Sequence, residues 1–183
     1  MGRVHLTDEI YEFIKGEVVF IFELCRIRGI PINGFEIANK LGIRLIPYSS
    51  LNGKQRDVAF ETSKDGFYIE DLNGEGLIYY NDKNSPERVN MTILHEIGHC
   101  VLDHTNGTDA EEAEAKFFAK YAIAPPPLVH CIKPQSPKDI EKAFCISKEA
   151  AHNAFVYYLK WLKYGRRYYN DNDVRLLRLF ETA

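Results

Sequence analysis

The stretch MTILHEIGHCVLDH, residues 91–104, sets His95 and His99 four residues apart, with Glu96 beside the first. On an α-helix that spacing puts two side chains on one face, about one turn apart. Two imidazoles so placed can reach one divalent ion at about 2.0–2.1 Å. Glu96 can then accept a proton from a water that the ion acidifies and return it to a leaving amine. The chemistry on offer is metal-assisted hydrolysis of an amide. The competing reading is two histidines on one side of an ordinary helix. His-Glu-x-x-His fixes only three of five positions, and such patterns arise by chance in unrelated proteins.

The flanking residues place the pattern on a helix, as the chemistry requires. Ser85 suits an N-cap, Pro86 the first helical position and Glu87 the positive end of the dipole. Val89, Ile93, Leu94, Ile97 and Val101 recur at helical spacing, which predicts a helix over about 86–104. Gly98 lies between the histidines and costs about 1 kcal/mol of helix propensity. Its missing side chain would let another segment or the metal site approach closely. In this setting the pattern reads as the H-E-x-x-H of zinc peptidases.

A catalytic zinc takes three protein ligands and keeps one position open. An extended motif with Gly three and His six residues past His99 fails, because Leu102 and Thr105 stand there. His104 is five residues on. Asp103 sits awkwardly at the negative end of the helix dipole. The following segment offers Glu111, Glu112 and Glu114. Thr108 and Glu111 have capping-box spacing, so a helix is expected from about Asp109 to the prolines at 125–127. Glu112 heads a stripe of Ala115, Ala119 and Ala122, which would let that helix lie close to its neighbour and point Glu112 at the histidines. Glu114 is about 200° round the helix and reads as solvated. Against this stands the plain reading that all three are surface acids in a charged first turn.

The elements that must position these groups are legible in outline. A long helix is predicted over about Thr7–Arg28, ended by Gly29 and Pro31, and a short one at FEIANKLG with Asn33 as cap and Gly42 as stop. Strands are expected at 43–48, 66–71 and 76–81, the last two joined as a hairpin, with a polar mobile loop over about 49–65. GLIYYN would offer an exposed edge to an extended peptide; alternatively Tyr79 and Tyr80 simply alternate between core and solvent. Ser136 and Ser147 open two further helices, a helix-turn-helix-like pair ended by Gly165, and DVRLLRLF suggests a last short one. The expected fold is α+β: a small antiparallel three-stranded sheet on helices including a zincin-like HExxH helix, with a C-terminal helical extension. The expected division is 1–127 and 128–183.

At 183 residues and 45% hydrophobic, the chain can bury a core without disulfides. Its 23 basic and 26 acidic residues give net charge −3, no footprint for nucleic acid, though Arg166 and Arg167 form a local basic pair. Cys25, Cys100, Cys131 and Cys145 form no Cys-x-x-Cys pair and read as reduced thiols of a cytoplasmic protein. No signal peptide is visible. VVFIF, at 18–22, is too short for a bilayer, so no membrane partner is expected. Gly2 lacks the Ser or Thr at position 6 that myristoylation wants, and the acceptor patterns at Asn90 and Asn106 carry no meaning in the cytoplasm.

ILHEIGHCVLDH followed by EEAEAKFFAKYAIAPPPLV resembles the ImmA/IrrE-like zinc metallopeptidases. These typically show a His-Glu-hydrophobic-Gly-His helix, then a Glu-x-Glu-Ala-x-x-Phe-Ala helix ending in Leu-Leu-Met-Pro. GLIYYNDKNSPERVNMTI and FCISKEAAHNAFVYYL are similar to flanking elements of that family, so the resemblance covers most of the chain and is strongest over about 76–127. It implies His95, His99 and Glu112 as ligands of Zn2+ and Glu96 as general base. It also implies action inside bacterial cells, on or with helix-turn-helix repressors of mobile elements and stress genes. One departure is Lys116, where the family has Asn or Asp able to support a ligand histidine from behind. Either that support comes from elsewhere or metal binding is weaker. The Met-Pro ending is changed too.

The functional expectation is a cytoplasmic zinc-dependent endopeptidase acting on a protein substrate, a DNA-binding repressor. The alternative is a zinc-containing regulator or antirepressor that binds its partner without cutting it. Both need the same ligands, and only the first needs Glu96. Direct nucleic-acid binding by the C-terminal pair, through Lys160, Lys163, Arg166 and Arg167, is not expected, because AFVYYLKWL is mostly apolar. By residue type alone, His104, His130, Tyr121 and Tyr48 are candidates for an assisting electrophile.

Overall fold

Strands β1 (Arg44–Pro47), β2 (Gly66–Glu70) and β3 (Gly76–Tyr80) form one sheet in the order β1-β3-β2 in the computed structural model, which describes residues 4–164 and 169–181. Gly2, Gly165, Arg166 and Arg167 lie outside the described residues. The β2–β3 hairpin is antiparallel, turned by Asp71, whose carboxylate accepts the N–H groups of Asn73 and Glu75 at 2.8 and 2.9 Å. β1 runs parallel to β3, so the sheet is mixed rather than wholly antiparallel. The reason is an insertion: β3 lies between β1 and β2, and the chain crosses from β1 to the far side through a helix. β3 is therefore the central strand, hydrogen-bonded on both sides, and does not offer the exposed edge expected of GLIYYN. Tyr79 and Tyr80 are both half-buried; Tyr79 stacks on Phe67 and Tyr80 meets Phe35 edge-on.

That crossing helix is α3 (Gly53–Thr62), following a single 3-10 turn at Tyr48–Ser50. It replaces the polar loop expected at 49–65. Ala59 is its one buried residue, so it carries no amphipathic stripe to be read in sequence. Its start is set by a capping box in which Asn52 and Gln55 each accept the other's backbone N–H.

The fold divides into two compact units, with the boundary inside α5 (Asp109–Ile123), between Ala119 and Lys120. The first comprises Asn33–Ala119 with the segment ending at Thr7. It holds the sheet, α2 (Gly34–Lys40), α3, α4 (Pro86–Val101) and the start of α5. Ile37, Ile78, Ile93, Leu94 and Ile97 are buried at its core, each contributing about 1.5–3 kcal/mol over exposure. α2 runs as expected, with Asn33 accepting from Phe35 and Glu36, and Gly42 at φ +76° beyond it.

The second unit comprises Asp8–Ile32 and the chain from Lys120. This grouping differs from the division expected at residue 127, because α1 (Asp8–Leu24) packs with the C-terminal helix α9 (Asp171–Glu181). α1 ends at Leu24, not Arg28. Arg26 adopts φ 51°, and the N–H groups of Arg26 and Ile27 return to the carbonyls of Glu23 and Phe22. That is a Schellman closure with arginine where glycine is the usual signal. The prolines stop α5 as expected, and Pro126 and Pro127 then start a further short helix, α6 (Pro126–Cys131). α7 (Pro137–Phe144) and α8 (Lys148–Tyr164) form the expected helical pair. None of the four cysteines is joined in a disulfide. Among the described residues no helix is long and apolar enough to cross a membrane.

Candidate metal centre

α4 begins where its sequence places it, with the Ser85 hydroxyl accepting the Arg88 N–H. It carries His95 and His99 on one face and ends at Val101, three residues before the expected end. Asp103 then adopts φ 54°, and the N–H groups of Asp103 and His104 return to the carbonyls of Cys100 and His99 at 3.3 and 3.0 Å. This closure folds His104 back over the last helical turn. The next turn is tied by Glu111, whose carboxylate accepts the backbone N–H groups of Thr105, Asn106 and Thr108. Those bonds hold its pKa down to about 2. Thr108 accepts the Glu111 N–H in return, the expected capping box.

α5 approaches α4 at Gly98. A Cβ there would lie 3.2 Å from the Ala115 Cα and 3.2 Å from the Phe118 side chain. Ala115, Ala119 and Ala122 are buried, so the small-residue stripe faces inward as expected.

This approach brings Glu112 to the two histidines. The Nε2 atoms of His95 and His99 lie 3.2 Å apart. One Glu112 oxygen is 3.2 Å from the His99 Nε2 and the other 3.5 Å from the His95 Nε2. Donors arranged tetrahedrally at about 2.0–2.1 Å from an ion stand about 3.3–3.4 Å from one another. The nitrogen pair, and each nitrogen with its nearer Glu112 oxygen, stand near that separation, and one donor atom from each residue lies within 4.8 Å of the others. Burial lowers the pKa of both histidines, aided at His95 by His99 and opposed by Glu112. Both are held toward the neutral form that a ligand needs. Glu112 is 53% exposed, which leaves the group open to solvent on one side.

Glu96, beside His95 on the same helix, is only 6% exposed and lies close enough to the group to feel the charge of Glu112. Burial pushes its pKa up to about 7, while a hydrogen bond from the Tyr68 N–H works against the shift. That bond follows from the sheet register. Asn81 donates to Asp65 and Asp71 donates to Glu75, so the odd-numbered residues between pair toward β3. The peptide groups of Gly66, Tyr68 and Glu70 then face the outer edge of β2. β2 lies against α4 because Gly66 has no side chain; a Cβ there would come within 2.7 Å of Thr92.

The remaining residues fall into place as follows. Glu114 is not solvated: its Oε2 lies 3.1 Å from the His104 Nε2, and its side chain is 23% exposed. His104 Nδ1 lies 3.0 Å from His99 Nδ1, on the side of that ring away from Glu112, so His104 is neither a ligand nor an assisting electrophile. Asp103 lies in the turn beyond α4. The Tyr48 hydroxyl donates toward the Ala59 and Ser63 carbonyls. His130 and Tyr121 belong to the second unit, where His130 Nδ1 meets the Tyr158 hydroxyl at 3.0 Å. Sequence reasoning missed Tyr68, and it weighed His104 and Glu114 without finding that they pair behind His99. Only the periodic pairing of β2 and the position of His104 just past a helix end hinted at them.

Two neutral imidazoles and a carboxylate, converging from two helices, are what a metallopeptidase-like domain uses to hold its ion. The chain belongs to the Peptidase_M78 family, whose model, described as an IrrE N-terminal-like domain, matches residues 38–156, more than half its length. The family and the His-His-Glu group together fit a metal cofactor. No curated protein matches the chain.

Proposed function

We propose that the chain is a zinc-dependent endopeptidase of the cytoplasm, with a helix-turn-helix repressor of a mobile element or stress regulon as its protein substrate. The observation that carries the hydrolytic part is the convergence of His95, His99 and Glu112, one donor atom of each lying within 4.8 Å of the others. The substrate class rests on family membership alone. In this reading α4 is a zincin-like HExxH helix, and His95, His99 and Glu112 hold the ion. When bound, zinc supplies Lewis-acid polarisation of a peptide carbonyl and acidifies water. Glu96 takes up the proton of the attacking water on its carboxylate and hands it to the leaving amine. Its pKa of about 7 matches that two-way task. An extended peptide chain could lie along the outer edge of β2 beside Glu96, meeting its outward carbonyls, since the Gly66 and Tyr68 N–H groups are taken by Ser63 and Glu96.

A second reading, a metal-holding antirepressor that binds without cutting, is favoured by one feature. Glu96 is buried and its carboxylate already receives the Tyr68 N–H, as a structural acid would.

The test uses the full chain loaded with zinc, incubated with helix-turn-helix repressors encoded beside its gene, with products read by mass spectrometry. Glu96→Gln is expected to keep one zinc and lose cleavage. No cleavage by the wild type, together with undiminished derepression in cells by Glu96→Gln, would sink the peptidase reading and leave the binder.

A further inference from the structure

We infer that His104 and Glu114 form a positioning relay that sets the tautomer of His99 and so aims its Nε2 lone pair at the metal; this rests on the metal-site reading above. The relay supplies from the α4–α5 turn the support that Lys116 cannot give as a hydrogen-bond acceptor.

The argument is one of donors and acceptors. His99 faces Glu112 and His95 through Nε2. An Nε2 that binds a cation must offer a lone pair, so the ring proton sits on Nδ1. His99 Nδ1 lies 3.0 Å from His104 Nδ1, which must then be an acceptor. The His104 proton is thereby placed on Nε2, and Glu114 Oε2, an acceptor, lies 3.1 Å from it. Each N–H in the chain has one acceptor, and the chain ends on a carboxylate. Reversing either tautomer breaks it. A His104 protonated on Nδ1 would turn a lone pair toward Glu114 and a second N–H toward the His99 N–H.

The relay is also built to stay in place. The His104 side chain is 6% exposed. Its backbone is fixed by the closure at Asp103 and by the turn that Glu111 ties. Glu114 stands on α5 two residues from Glu112, so one helix carries both a direct donor to the ion and the anchor for the ring behind a second donor. This explains why two acids on different faces of α5 are both engaged.

The test measures Zn2+ affinity by competition with a chromophoric chelator, using the full chain, with the unfolding midpoint of each metal-free variant as a control for folding. Glu114→Ala is expected to weaken binding about 10–100-fold, as is usual for loss of a partner behind a ligand histidine. Glu114→Gln keeps an acceptor oxygen and is expected to recover most of the loss. His104→Ala should match Glu114→Ala, and the double variant should be no weaker than His104→Ala alone, because both act through one chain. Wild-type binding with Glu114→Ala within twofold of it overturns the relay, as does a double variant whose losses add. A wild-type protein that binds no Zn2+, like the His95→Ala control, overturns the metal site and the relay with it.

Discussion

The Nε2 atoms of His95 and His99 face each other at 3.2 Å, with Glu112 closing the third corner. Two neutral rings in this register present lone pairs to one point, which is unfavourable until a cation fills it. Metal should therefore stabilise the fold. At a free ion concentration about 100 times Kd the gain is about 2.7 kcal/mol. For a chain of this length the unfolding midpoint should rise by roughly 5–10 °C. Thermal melts with zinc and with excess EDTA measure this. His95→Ala should melt alike in both, and an identical pair of wild-type curves would count against the site.

Gly98 decides how closely α5 can bring Glu112. Helix propensity alone makes Gly98→Ala stabilising by about 1 kcal/mol. The added Cβ, however, would sit 3.2 Å from the Ala115 Cα, a backbone atom that cannot swing aside. Overpacking costs about 1–3 kcal/mol, so the net expectation is a loss of about 1 kcal/mol in chemical denaturation. Zinc affinity should fall as well, because Glu112 moves with α5. A Gly98→Ala protein more stable than wild type would show that the helices part freely.

How much of this could be read from residues alone depended on where each signal was stored. His95, Glu96 and His99 share one helix, so a periodicity of 3.6 sufficed to group them. Glu112 was reachable because Ala115, Ala119 and Ala122 mark the face that packs. His104 and Glu114 were not, because their meeting depends on Asp103 taking positive φ, which an aspartate does not announce. The same cause, positive φ at Arg26, hid the end of α1 at Leu24. β1 was recognised as a strand, but its direction was not, since the insertion of β3 between β1 and β2 is a property of tertiary pairing. α3 escaped because its cap, Asn52 with Gln55, stands before a stretch with one buried residue.

Asn90 joins α4 to the start of α2. Its Oδ1 accepts the Gly34 N–H at 2.7 Å, one of the helix-start donors that has no partner within its own helix. Asn33 covers Phe35 and Glu36 but not Gly34, which is buried. Asn90→Ala should cost about 1–2 kcal/mol by urea unfolding, the usual penalty for a buried donor left unmet. Asn90→Asp keeps the acceptor and should stay near wild type at neutral pH. Equal stability of Asn90→Ala and wild type would mean that water replaces the side chain.

Asp65 and Arg88 tie the start of β2 to the first turns of α4, and so hold the strand that carries Tyr68 beside Glu96. Arg88 Nε and Nη2 donate to the two Asp65 oxygens at 2.6 and 2.8 Å, and Asn84 adds a third bond. The Arg88 hydrogen bonds, aided by its charge and by Asn84, hold the Asp65 carboxyl below its ordinary range against the opposing effect of burial. A folded pKa below the unfolded one gives a contribution that is complete above the unfolded value, about 3.9, and vanishes as pH falls through the folded value. The pair is 61% and 38% exposed, so solvent screening keeps it small. Asp65→Asn should lose about 0.5–1 kcal/mol at pH 7, less in high salt. The gap from wild type should close in acid, below about pH 4. A gap that persists unchanged to low pH would assign the effect to packing at the β2–α4 contact rather than to charge.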